Sequence, residues 1–322
     1  MKLTVAICMY NAERYIEETI RSILAQTFQD FDLLIVDDCS SDSSIQIAER
    51  ILTAYNRPYK LIKLPENHGI AYARNLALNK ATTEYLLFVD ADDIADKQLV
   101  EKEYALLTSD PDIMGVSCWS EFIDENGEKL KGGTYLGAHT KEDFIKHAAL
   151  NKLIFLPIHT MFCRQLAINC GGFMISGFHE GKPRYQDYCE ELDLWTRMSD
   201  SYKSGKAFIT IPEVLYSYRK TNGLSYNHFH MILKMRYTKA NLLRRRTGVE
   251  PELTFTQFYD SLSEKQLKAL HRDAEAADCL RNGVVYLKNG QVVKCLKNII
   301  RSIYLRPGYL VDKIKNNLIK KI

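Results

Sequence analysis

No run in this 322-residue chain approaches the roughly 20 apolar residues that a membrane-spanning helix needs, so no such helix is expected. The eight cysteines include no C-x-x-C pair; scattered through apolar and helical contexts, they have the pattern of reduced, packed thiols, and a cytoplasmic compartment is expected. A net charge of +3 is too small to argue for nucleic acid, and none is expected as a partner. No internal repeat or low-complexity segment is evident, which excludes a solenoid. What remains is an ordinary globular composition, 46% hydrophobic and 26% charged, long enough for one large α/β domain with an appendage.

The chain opens on Met1-Lys2-Leu3-Thr4-Val5-Ala6-Ile7-Cys8-Met9, which looks superficially like a leader. The apolar run is short and passes into Tyr10-Asn11-Ala12-Glu13-Arg14 without a cleavage-like site, so it reads as a strand. Apolar runs then alternate with helical patterns: Leu3 to Met9 and Ala12 to Gln26, Phe31 to Val36 and Ser43 to Tyr55, Tyr59 to Leu64 and Gly69 to Lys80, then Tyr85 to Val89. Continuous apolar strands between amphipathic helices predict a doubly wound, mostly parallel sheet. Asp42 or Ser43 can cap the second helix.

After about Leu107 the pattern changes. Ile113 to Ser120, an Asn126-Gly127 turn and the Gly132-Gly133 pair predict an antiparallel extension. Strands are expected at Ala207 to Ile211 and Val214 to Tyr218, split by Pro212. Beyond Asn227 the chain reads as helices only, which places a boundary near residue 225: residues 1–225 form the site-bearing domain and 226–322 a helical C-terminal region.

In a parallel sheet, ligands bind beyond the carboxyl ends of the strands. Three polar exits stand there: Met9-Tyr10-Asn11, Val36-Asp37-Asp38-Cys39-Ser40-Ser41-Asp42, and Val89-Asp90-Ala91-Asp92-Asp93. Aspartates crowded along one edge repel one another unless cations or ligand donors join them. Asp90 and Asp92, one residue apart, can reach a single Mg²⁺ or Mn²⁺ and leave water and phosphate oxygens to complete its shell. The bland alternative is that they end a strand or cap the helix near Asp96.

The ordered set Tyr10-Asn11, Tyr15-Ile16, Ser22-Ile23-Leu24-Ala25-Gln26-Thr27-Phe28, Val36 to Asp42, Gly69-Ile70-Ala71-Tyr72-Ala73-Arg74-Asn75 and Asp90-Ala91-Asp92-Asp93 resembles glycosyltransferase family 2. The likeness is dense over the first hundred residues and looser to about residue 220. It implies a GT-A fold, inverting transfer, a nucleotide-sugar donor, first of all a UDP-sugar, and Mn²⁺ or Mg²⁺. Tyr10, with Asn11, would stand at the base; Asp37 and Asp38 would line the nucleotide, with Asp38 bonding base or ribose. Arg74 would lie near the nucleotide, and Asp90 and Asp92 would hold the metal. The acceptor would be a saccharide or lipid-linked saccharide, in cell-surface polysaccharide or lipid-linked glycan synthesis. Side-chain chemistry agrees: a flat ring, an acceptor for N–H or O–H, and a planar cation for phosphate.

A general base is sought in Tyr185-Gln186-Asp187-Tyr188-Cys189-Glu190-Glu191-Leu192-Asp193-Leu194-Trp195-Thr196-Arg197, which resembles the family's acidic segment before a helix ending in Trp and Arg. Counting back from Trp195 selects Glu191 with Glu190 before it; aligning on Gln186-Asp187 selects Asp187. On one helix all three would share a face. Leu194 and Trp195 are expected in the core. His159 is a weaker acceptor-side candidate. The family often carries a histidine two places after an arginine like Arg219; here Thr221 stands there, so Arg219, Lys220 or His228 could meet the phosphates instead.

Leu310, Ile314, Leu318 and Ile322 recur every four residues among Lys313, Lys315, Lys320 and Lys321, as in an interfacial helix, and Arg244-Arg245-Arg246 adds a second basic cluster. Both suit a peripheral location at an anionic inner membrane face. Two rivals come from other classes. An aspartate-nucleophile phosphatase also uses Asp-x-Asp, but on its first strand and with Thr or Val two places after the second Asp, where this chain has Ile94. A nucleotide-binding membrane scaffold would keep the fold without the base.

Overall fold

Seven consecutive buried residues, Leu3–Met9, form β1, and a strand buried on both faces must lie inside a sheet covered by helices. The computed structural model describes residues 1–221, 227–288 and 290–308. In chain order the elements are β1, α1 (Ile16–Leu24), β2 (Asp32–Asp37), α2 (Ser44–Ala54), β3 (Lys60–Lys63), α3 (Ile70–Lys80), β4 (Tyr85–Asp90), β5 (Ile94–Ala95) and α4 (Leu99–Thr108). There follow β6 (Ile113–Ile123), β7 (Lys129–Thr134), α5 (Lys141–Ala149), β8 (Met161–Cys163), α6 (Arg164–Asn169), α7 (Glu190–Met198) and β9 (Ala207–Arg219). The last helices are α8 (His228–Thr247), α9 (Phe255–Asp260), α10 (Glu264–Lys288) and α11 (Val292–Leu305).

The nine-stranded sheet runs β3-β2-β1-β4-β8-β6-β9-β5, with β7 paired to β6 outside this path. The first four strands are mutually parallel. The direction reverses at β8, antiparallel to both β4 and β6, so the doubly wound start and the antiparallel extension meet there. In α1, Ile16, Ile20 and Ile23 point into the core at helical spacing while Glu17 and Arg21 pair on the outer face. Asp42, not Ser43, meets the start of α2, accepting from the Ser44 N–H at 3.0 Å.

One expectation is corrected, and one strand had not been expected. Ala207–Arg219 is one strand, not two: opposite it, Cys118 pairs with Ile211 and Trp119 with Val214, so Pro212 and Glu213 are looped out of register. A bulge costs proline no ladder bond, which is why the strand survives it. The short β5, just after Asp93, had no signal in the apolar pattern; it is held by antiparallel pairing of Ile94 with Ser217 and Ala95 with Tyr216.

The chain forms two compact units, Met1–Gly223 with Thr238–Glu252, and Leu224–Tyr237 with Leu253–Ile322. The boundary expected near residue 225 and the basic tail at 310–322 both lie outside the described residues. In the first unit Trp195 is fully buried between Phe162 and Phe208, at ring distances of 5.0 and 5.5 Å. This packing fixes α7, and with it Glu190 and Glu191, against the sheet.

Candidate functional site

Parallel pairing in the order β2-β1-β4 puts three carboxyl ends on one edge: Met9 is in register with Asp37, and Cys8 with Asp90. The Asp38 N–H donates to the Met9 carbonyl at 2.9 Å, locking the first two exits together. The crowding of aspartates expected from sequence is therefore real, and each is held differently.

Tyr10 is 52% exposed, a free aromatic face at the β1 exit. Asn11, with φ of 49°, turns away from that role: its N–H donates to Ser40 Oγ (2.9 Å) and its Oδ1 accepts from the Ser41 N–H (2.8 Å), so it ties two loops together. Asp37 is likewise beneath the loop, buried, with Oδ2 accepting from the Ser40 N–H at 3.0 Å. Asp38 accepts from Asn67 Nδ2, the His68 N–H and the Gly69 N–H, each at 2.8 Å. Burial pushes its carboxyl upward against the pull of the His68 and Gly69 donors. Three donors on four lone-pair positions leave Asp38 one free position, on Oδ1.

Arg74 is buried in α3, and its guanidinium meets protein carboxylates rather than facing outward to phosphate. Nη2 donates to Asp90 Oδ1 at 2.6 Å and Nη1 to Glu190 Oε1. This cation joins the β4 exit to the first turn of α7. Asp90 is thus half committed. Asp92 is the freer partner, partly exposed, with Thr221 Oγ1 donating to it at 3.4 Å. Burial, and then the Asp90 charge, push the Asp92 carboxyl up to about 6. A carboxylate destabilised by burial and then by a neighbouring carboxylate has the chemistry of a cation site. Among the described residues no three or more His, Cys, Asp or Glu side chains group as a metal cage. The residues present therefore fit an ion held by one or two carboxylates, with ligand oxygens for the rest.

Arg219 is turned inward, onto protein groups. It is 2% exposed; its Nε donates to the Asp92 carbonyl and its N–H to Asp93 Oδ1, both at 2.7 Å, and it pairs with Glu18 at 2.5 Å. It pins the main chain that carries Asp92. Lys220 lies over the Phe122 ring at 3.8 Å. His228 is paired with Asp278 at 2.6 Å. His159 is buried and stacked on Tyr216 at 3.8 Å.

The three acids do not share a helical face. Asp187 closes a 3-10 turn, Tyr185–Asp187, and Cys189 at φ 51° breaks the chain before α7 begins at Glu190. Asp187 accepts from the Ala71 N–H at 3.1 Å and pairs with Arg184 at 3.2 Å, so it serves the N-terminus of α3. Glu190 is taken by Arg74. Glu191 has no ion pair among the described residues and hydrogen-bonds with Glu190; burial pushes its carboxyl up, against Arg74 and with Asp90.

Two contributors had escaped the motif reading, and a third, Gly69, stood in a motif without a role. Arg184 grips the Asn67 carbonyl and side chain at 2.8 and 2.5 Å. His68 stacks on Tyr72 at 4.2 Å. Gly69, at φ 97°, lies under Asp187. Only Gly69 had a sequence signal, a glycine at a loop-to-helix junction.

The model of glycosyl transferase family 2 matches residues 4–172. The chain is 40% identical over 262 residues to TuaG of Bacillus subtilis, a putative teichuronic acid biosynthesis glycosyltransferase, covering 80% of this chain and 94% of that one. Other relatives are spanned only in part: one, 45% identical over 92 residues, over 13% of its length, and another, 34% identical over 129, over 51%. Staphylococcus aureus TarS 1–349 in complex with UDP has the same fold at a TM-score of 0.55 and 18% identity, covering 97% of this chain and 92% of that one. A Pyrobaculum calidifontis mannosyltransferase in complex with GDP-Man and Mn²⁺ gives 0.54 and 19%, covering 97% and 88%. These two likenesses are of fold.

Proposed function

Because the chain belongs to glycosyltransferase family 2 and is a glycosyltransferase with a GT-A-like fold, we propose that it moves a sugar from a UDP-sugar to a saccharide or lipid-linked saccharide hydroxyl, with inversion, in cell-surface polysaccharide or lipid-linked glycan synthesis. One observation carries this reading: Asp90 and Asp92 leave the sheet beside the exposed Tyr10 exit, and Arg74 ties Asp90 to the helix bearing Glu191. The UDP held by TarS 1–349 and the putative role of TuaG in teichuronic acid biosynthesis support the donor and the pathway class.

In this reading Tyr10 lies against the base and the free position of Asp38 accepts from base or ribose. Asn11 and Asp37 shape that loop from beneath. Asp92, backed by Asp90, holds Mn²⁺ or Mg²⁺, which supplies neutralisation of the charge growing on the leaving diphosphate. Glu191 takes the acceptor's proton; of the three acids it alone is not held by an arginine, and its raised carboxyl suits a general base. Glu190 and Asp187 are positioning residues, and Arg74 keeps Asp90 and Glu190 at their stations. The catalytic region is residues 1–225 and the helical region 226–322. The protein would work in the cytoplasm, peripheral at the inner membrane face; no described helix is long and apolar enough to cross a membrane.

A thermal-shift panel of nucleoside diphosphates and nucleotide sugars with Mn²⁺ tests this, since a ligand that binds only the folded state raises its melting temperature. UDP and a UDP-sugar should raise it, Asp92→Ala should cancel the rise, and added acceptor should release UDP. Aryl-phosphate hydrolysis abolished by Asp90→Asn would instead establish the phosphatase, and nucleotide binding without release under any acceptor would establish the scaffold.

A further inference from the structure

Within the second unit, α11 packs one side and leaves the other bare. Cys295 and Ser302 are buried, whereas Val293 is 69% exposed, Ile300 64%, Leu296 and Val292 54%, Ile303 39% and Tyr304 85%. At 100° per residue these six occupy one continuous arc of about 120°, and Lys297, Arg301 and Lys294 follow along one border of it. An outward apolar arc of this length has no counterpart in a helix that faces only water.

The charge around the arc identifies its partner. From Cys279 to Val311 there is no Asp or Glu and there are six Lys or Arg. We propose that the outward face of α11 docks on an anionic lipid bilayer, with its apolar arc at the acyl boundary and Lys294 and Lys297 at the headgroups, Arg301 being paired with Glu275. Tyr304, aromatic with a polar tip, suits the interfacial depth. A second copy fits the face poorly: an isologous contact would bring two cationic borders together without an acid on α11 to pair with them. This inference deepens the peripheral location proposed above and rests on it, but it moves the contact from the tail to α11.

The test is co-sedimentation of the full chain with phosphatidylcholine vesicles and with vesicles of equal parts phosphatidylcholine and phosphatidylglycerol. Wild type should bind the anionic vesicles and lose much of that binding in high salt. The Leu296→Glu/Ile300→Glu variant should bind at least about tenfold less, and Lys294→Glu/Lys297→Glu should lose the preference for anionic lipid. Circular dichroism and UDP-dependent thermal shift, measured on the same samples, should match wild type, which separates failure at the membrane from failure of the transferase reading. Binding that is absent in wild type, or undiminished in Leu296→Glu/Ile300→Glu, overturns the proposal. So does a wild-type dimer, seen by light scattering, that this variant dissociates.

Discussion

The carboxylate of Asp187 fills the space in which Gly69 would carry a side chain. Gly69 also donates its N–H to Asp38 at 2.8 Å and sits at φ 97°. A candidate nucleotide-side acid and a candidate base-side acid thus approach one glycine from two directions. Gly69→Ala should cost about 2 kcal/mol or more, because both the backbone angle and the close approach oppose a Cβ. It should weaken UDP binding as well, since Asp38 and Asp187 would have to part. Denaturant unfolding and calorimetric titration of UDP measure the two effects, and an unchanged variant in both would show that the junction is slack.

Arg74 neutralises two acids at once in a buried position. Arg74→Ala should destabilise by about 3–5 kcal/mol, the cost of leaving buried charge unpaired rather than the net worth of the pair. Adding Glu190→Gln should recover part of the loss in stability but none of the activity, because Asp90 stays unanchored. Unfolding midpoints for the two variants check this. A double variant no more stable than the single one would mean that Glu190 is protonated beside Arg74.

The choice of base is open to kinetics. Glu191→Gln should lower kcat about 10²–10⁴-fold with the donor KM little changed, the signature of a lost proton acceptor. Asp187→Asn should instead act on stability and donor KM through the start of α3. If Asp187→Asn alone removes kcat, the assignment of Glu191 fails.

The sequence made β1 to β4 and the helices between them legible, since unbroken apolar runs and helical spacing are local properties of strands buried on both faces. It also led to Asp90, Asp92 and Asp38, because a strand exit follows directly from a strand end. What stayed hidden depends on contacts between distant residues. No local pattern shows that Arg74 lies between Asp90 and Glu190, or that Arg219 reaches the Asp92 carbonyl 127 positions earlier. The expected common face of Asp187, Glu190 and Glu191 assumed one helix, and Cys189 in the left-handed region breaks that premise. Pro212 misled for the opposite reason: its local preference for a break was overridden by pairing on both sides.

His159 makes its own contribution to the acid limb of stability. It is 2% exposed, stacked on Tyr216 at 15°, and its Nε2 has no partner among the described residues. Burial pushes its pKa down to about 3, whereas in the unfolded chain it returns to about 6.5. Between those values the unfolded chain holds a proton that the folded chain refuses. The contribution of His159 to stability is therefore complete above about pH 6.5 and is lost as pH drops, by at most about 1.4 kcal/mol per pH unit. Asp93, which faces Tyr216 from the turn between β4 and β5, and Glu103 are raised by burial and act in the opposite sense: folded, they keep protons that the unfolded chain releases, so they favour the fold at low pH. They are present in both proteins when wild type is compared with His159→Phe, which retains a ring against Tyr216. Above pH 7 the two stability curves should differ by a constant; between pH 6 and 4 the variant should lose stability more slowly. Parallel curves across that range would show that His159 does not enter the fold as a neutral ring.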